Sequence, residues 1–142
     1  MDLDTLFAPL GWREFEASYF RQQPILLDGA LERFSHLVTL DRLNAVLQTH
    51  RFTASRLSFV KAGQAAPREA YLWNFRDESA LVRTDGVKQL IENGYHLSLD
   101  AVDELWPDIR AIAEAWERAV GAYVSVNLYA VWAAEQGLKI HA

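Results

Sequence analysis

The last well-defined stretch of the chain, Tyr123 to Val131, constrains its fold more than any other. It reads as a β-strand, because polar and apolar residues alternate along it with the period of two that puts i and i+2 on one face. Val124, Val126, Leu128 and Ala130 form an apolar side. Ser125, Asn127 and Tyr129 form the opposite, polar side. A lone strand cannot hold itself, so it demands partners elsewhere in the chain. Upstream, strand character is weak and helices dominate. The predicted class is therefore α+β, with a helix-rich region over 1–121 and the strand with its following loop over 122–142.

The upstream pattern supplies the candidates. Trp12, Phe15, Tyr19 and Phe20 fall at helical spacing and predict a helix with an aromatic face, ended by Pro24. Ile25-Leu26-Leu27 predicts a short buried strand closed by Asp28-Gly29. Thr39 can cap a helix that turns Leu40, Leu43 and Leu47 inward. Leu57 to Val60 predicts a strand that leaves through Lys61-Ala62-Gly63, and Tyr71-Leu72-Trp73 a second. Asp85 to Asn93 predicts a helix with Val87, Leu90 and Ile91 inward and Gly94 beyond its end. Tyr95 to Leu99 predicts another strand, and Asp100 caps a short turn that runs through Leu105. Pro107 suits the first turn of the longest helix. That helix turns Ile109, Ile112, Ala113, Trp116 and Val120 inward and stops at Gly121.

Composition removes several function classes. The 142 residues hold no cysteine, which excludes disulfides, thiolate catalysis and cysteine zinc sites. The formal charge of −5 comes without a basic stripe, so direct nucleic-acid binding is not expected. The acidic opening Met1-Asp2-Leu3-Asp4 is unlike a signal peptide, and no apolar run approaches the about 20 residues of a membrane span. The expected setting is the cytoplasm, with no membrane partner.

The candidate chemistry lies on the polar side of the last strand. Asn127 and Tyr129 put an amide and a phenol at neighbouring same-side positions, a pair able to hydrogen-bond a small anionic ligand. The same residues also fit a solvent-facing strand. A single imidazole such as His141 cannot hold iron, which takes two histidines and a carboxylate on one face. His36, His50 and His96 have no carboxylate at ligand spacing, and His50 and His96 read as structural or surface groups. Trp106 and Trp116 read as core. Glu114, Glu117 and Arg118 fall on the solvated side of the long helix, and Asp100, Asp103 and Glu104 read as an acidic first turn.

The run Asn127-Leu128-Tyr129, the pair Gln136-Gly137 and then His141, with Asn127 and His141 spaced 14 apart, resembles the cupin-type JmjC oxygenases, among them the ribosomal-protein hydroxylases. There an N-x-Y strand and a glycine loop lead into an H-x-D motif. The segment Tyr19-Phe20-Arg21-Gln22-Gln23-Pro24-Ile25-Leu26-Leu27 resembles the family's opening aromatic-to-proline segment. Thr39 to His50, followed by Arg56 to Gly63, resembles its next helix and strand.

The resemblance implies the first strands of a double-stranded β-helix and a hydroxylase that uses Fe(II) and 2-oxoglutarate. His141 would be the first metal ligand, with Asn127 and Tyr129 lining the cosubstrate pocket. The implied substrate is a protein or peptide side chain, or a small amino-acid-like molecule. Ile140 departs from the small residue the family often has before its histidine, and the acid of H-x-D falls past Ala142. The chain is thus expected to stop inside the motif and not to turn over by itself. The competing expectation is a non-catalytic binding or oligomerisation module of cupin-like ancestry, a homodimer formed through the last strand.

Overall fold

The computed structural model describes residues 1–29, 32–74, 76 and 79–132. It mixes helices with small antiparallel sheets, an α+β composition. Internal contacts divide the chain into two units, Met1–Thr39 with Asp103–Ser125, and Leu40–Val102 with the residues from Val126 onward. No helix among the described residues is long and apolar enough to cross a membrane.

The first unit is helical. It contains α1 (Leu3–Leu6), α2 (Trp12–Ser18), α3 (Glu32–Ser35) and, in its second segment, the 14-residue helix Pro107–Val120. Asp2 caps α1 by accepting the Thr5 N–H at 2.8 Å, and that bond holds its carboxyl below the usual range. Asp4 accepts the Trp12 N–H at 2.9 Å, which fixes the start of α2. The aromatic face forms as the spacing predicts. Phe7 stacks on Phe15 with centroids 4.1 Å apart and meets the edge of Trp116 at 5.4 Å. The helix itself is shorter than expected and ends at Ser18, ahead of Tyr19.

Ile25 to Leu27 forms no strand, and Leu26 is 91% exposed. An apolar triplet becomes a strand only when a neighbour takes its hydrogen bonds, and none of the described residues does so here. The long helix behaves as its sequence dictates. Pro107 occupies its first turn, and Gly121 ends it in the left-handed conformation, with φ of 67° and its N–H on the Glu117 carbonyl. Ile109 and Ala113 are buried, while Ile112, Trp116 and Val120 are only half covered.

The second unit is built on a four-stranded sheet. α4 (Leu40–Thr49) leads to β1 (Leu57–Lys61), β2 (Gln64–Ala65), β3 (Leu72–Trp73), β4 (Leu81–Val82), α5 (Thr84–Glu92), β5 (His96–Leu99) and β6 (Leu128–Ala130). With these ranges set, the long helix Pro107–Val120 is α6. The sheet order is β2-β1-β5-β6, antiparallel throughout, and β3 pairs with β4 apart from it. The β1–β2 turn uses Ala62 and Gly63, with φ of 49° and 77°, the positive pair that a two-residue hairpin turn requires.

Leu57, Phe59, Leu97 and Leu99 line one side of β1 and β5 and are almost wholly buried. Phe59 meets the Tyr71 ring edge-on at 5.0 Å, and the Tyr71 hydroxyl donates to the Leu57 carbonyl at 3.1 Å. α4 turns Leu43 and Leu47 inward, but Leu40 is 64% exposed, because it opens the helix ahead of the covered stripe. α5 approaches the turn at Arg68–Ala70 through Gly86, where an added Cβ would stand 1.8 Å from the Ala70 carbonyl oxygen.

The final strand is much shorter than the alternation predicts. Only Leu128–Ala130 is strand, not Tyr123 to Val131. Its partner decides this. β5 ends at Leu99, and Ala101 then turns away with φ of 54°. The residues before Leu128 bond to that turn instead, with the Val126 carbonyl accepting the Val102 N–H at 2.8 Å.

Candidate functional site

The strand register collects polar side chains on one side of the sheet. Leu57 and Phe59 of β1, Leu97 and Leu99 of β5, and Leu128 and Ala130 of β6 fall on the apolar side. The positions between them fall on the other side. Ser58 pairs with Ser98, and Ser98 pairs with Tyr129, so three hydroxyl-bearing residues stand in one row across three strands. In the next row Val60 pairs with His96. Exposure rises toward the outer strand. His96 is 5% exposed, Ser58 and Ser98 are half-buried, and Tyr129 is 52% exposed.

Asn127 and Tyr129 occupy different situations. Asn127 sits just ahead of β6, and its amide oxygen accepts the Ala101 N–H at 3.0 Å. That bond secures the turn after β5 and leaves the Asn127 NH₂ as the part able to reach a ligand. The Tyr129 hydroxyl makes no hydrogen bond among the described residues. His141, Gln136, Gly137 and Ile140 lie outside the described residues.

The remaining histidines separate by environment. His50 is exposed and meets the Phe52 ring at 5.0 Å. His96 is buried in β5, and neither ring nitrogen has a hydrogen-bond partner among the described residues. Among the described residues, no three His, Asp or Glu side chains are placed to hold a metal ion. No protein-family model matches the chain, and no curated protein matches it either.

Charge is concentrated elsewhere. Arg110 of α6 bonds Glu114 at 3.0 Å, Glu117 at 3.1 Å and Asp103 at 3.3 Å. The Glu114 hydrogen bond first, then the Glu117 charge and the Asp103 bond, hold the guanidinium pKa above its ordinary value. Glu114 and Glu117 are thus not simply solvated, as the helix pattern suggests. Glu117 also accepts the Val124 N–H at 3.2 Å, tying the end of α6 to the chain that leaves it. The Asp103 side chain has no exposure at all, so it is a buried ion-pair partner rather than one of several surface acids.

The aromatic residues sort in the same way. Tyr71 and Trp106 are core, at 2% and 5% exposure. Trp73 is exposed, with the Arg83 guanidinium 4.4 Å above its ring. A cavity of about 390 Å³ lies between α4 and α5, floored by Leu47, Val82, Val87 and Ile91. It includes none of the residues singled out by motif.

Sequence reasoning missed Ser58, His96 and Ser98 as companions of Tyr129. The signal was present, because Leu57 to Val60 and His96 to Leu99 alternate with the same period as the last strand. Only the register shows which of their polar residues meet.

Proposed function

We propose that this chain carries the N-terminal portion of an Fe(II)- and 2-oxoglutarate-dependent hydroxylase of the cupin-type JmjC group, with a protein or peptide side chain, or an amino-acid-like molecule, as substrate. The observation that carries the reading is the N-x-Y run, with Asn127 just ahead of the outer strand β6 and Tyr129 within it, in register with the hydroxyl-bearing Ser98 of β5 and Ser58 of β1. In this reading the sheet is the first part of a double-stranded β-helix, and its polar side faces the ligand.

Iron with 2-oxoglutarate would supply the oxidising power for C–H hydroxylation. The described residues contribute no iron ligand set, and His141 is the one residue of this chain proposed for that role. The donor set does suit the cosubstrate. A carboxylate accepts hydrogen bonds only, and both the Asn127 NH₂ and the Tyr129 hydroxyl can donate. These residues would bind and orient the cosubstrate, while the apolar side of the sheet keeps it fixed against the core.

The test is calorimetry of 2-oxoglutarate binding to the full protein with and without Fe(II) under anaerobic conditions. Metal-dependent binding, weakened in Tyr129→Phe, is the expected result. Absence of metal-dependent binding removes the reading. A second reading, a non-catalytic binding or oligomerisation module, is favoured by the position of β6 at the end of the sheet and by the exposure of Tyr129 and Val131. It predicts a dimer in sedimentation that is lost when Tyr129 and Val131 are both replaced by lysine.

A further inference from the structure

The polar side of the sheet holds more than the residues of the strand motif. Ser58, Ser98 and Tyr129 stand in register, and none of their hydroxyls is hydrogen-bonded within the described chain. Beside them lies His96, 5% exposed, with both ring nitrogens unpaired among the described residues. A buried polar ring is rarely left so, because it has lost its water without gaining a partner. This imidazole opens β5, where His96 pairs with Val60 of β1, and the pairing of β5 with β6 begins at the next residue, Leu97.

The balance of donors and acceptors says what would fit. Asn127 has already committed its oxygen to the Ala101 N–H, which leaves its NH₂. Three hydroxyls and one imidazole N–H add further donors. Arg56 places its guanidinium on the carbonyls of Asp100 and Ala101, at 3.3 and 2.8 Å. The hydroxyl and amide donors of the row are neutral, which disfavours a doubly charged phosphate. A small carboxylate, an acceptor with several lone pairs and a single charge, matches a donor-rich row of this kind.

We propose that Ser58, His96, Ser98 and Tyr129 form a binding site for a small carboxylate. The site is defined by this chain alone, and it rests on the hydroxylase reading only for the natural ligand, which would then be the cosubstrate or the acid end of the substrate. Ser98 is the central residue, since it neighbours Ser58 on one side and Tyr129 on the other. His96 supplies the deepest donor. The row therefore discriminates by hydrogen-bond polarity more than by charge.

The experiment is NMR on metal-free full-length protein with labelled histidine and tyrosine. Succinate is titrated against sodium chloride of equal ionic strength, and succinamide serves as the neutral isostere. The His96 and Tyr129 ring signals should move saturably with succinate and far less with succinamide. Ser98→Ala, with Ser58→Ala as a second variant, should weaken succinate by about tenfold while leaving the backbone spectrum folded. Unmoved ring signals, equal binding of succinamide, or undiminished binding in both variants would overturn the site. Iron-dependent 2-oxoglutarate binding that ignores both variants would remove this site and leave the hydroxylase reading standing. Succinate binding here with no iron-dependent component would do the reverse.

Discussion

The two units of this chain solve the problem of stability differently. The sheet unit, Leu40–Val102 with the residues from Val126, has a core of fully buried apolar side chains. Phe52, Leu57, Phe59 and Leu99 have no measurable exposure. The helical unit leaves much of its aromatic cluster half covered, and its long helix buries only Ile109 and Ala113 outright. It adds a charge network around Arg110, with Asp103 buried beneath it. A sheet side pressed on a core gains its stability from apolar area and close packing. A small helical cluster with less to bury depends more on ring geometry and on a few well-placed charges.

Substitutions can break this contrast. Phe59→Ala removes a fully buried ring and its edge contact with Tyr71, and should cost about 3–5 kcal/mol by urea denaturation. Gly86→Ala drives a methyl into the Ala70 carbonyl, where backbone must move, and should cost about 3 kcal/mol in the same assay. In the helical unit, Asp103→Ala strips the buried partner from Arg110. It should cost about 1–3 kcal/mol, and the loss should not be reproduced by raising salt. A loss in Asp103→Ala as large as that in Phe59→Ala would erase the contrast.

Smaller effects sharpen it. Asn127→Ala should cost about 1 kcal/mol and speed hydrogen exchange of the Ala101 amide, whereas Asn127→Asp, which keeps an acceptor, should leave that amide protected. Burial pushes the Tyr71 phenol above its ordinary pKa of 10.0. A raised folded-state value means that the neutral phenol's contribution is complete below 10.0 and is lost as pH rises through the folded-state pKa. The urea midpoint of the parent protein should therefore fall more steeply in that window than the midpoint of Tyr71→Phe, with the two pH slopes equal near neutrality.

How much of this was legible depended on how local the cause was. The bounds of α6 were legible, because Pro107 and Gly121 act through their own backbone preferences, although only Ile109 and Ala113 of its inward set are buried. β1 and α5 were read for the same reason, each carrying a strong period over its own length. Ile25 to Leu27 and the span from Tyr123 to Asn127 were misread as strand, since pairing belongs to two segments and only one was in view. The inward placement of Leu40 failed at a helix end, where the stripe runs out of partners. The candidate site was legible in Asn127 and Tyr129 but not in Ser58, His96 or Ser98, which become neighbours only through register. The burial of Asp103 was hidden because an acid beside a helix start is ordinarily a surface feature.

The order of strands, β2-β1-β5-β6, also sets a timetable. β1 and β2 close through Ala62 and Gly63 alone, a loop short enough to form on the microsecond scale. β5 must then arrive across a connection that includes β3, β4 and α5, and β6 across one that includes α6. Each longer closure costs entropy before any cross-strand bond offsets it. The hairpin turn is consequently the place where a sequence change should alter the folding rate most. The row of hydroxyls, which needs β1, β5 and β6 together, is among the last features of the molecule to exist.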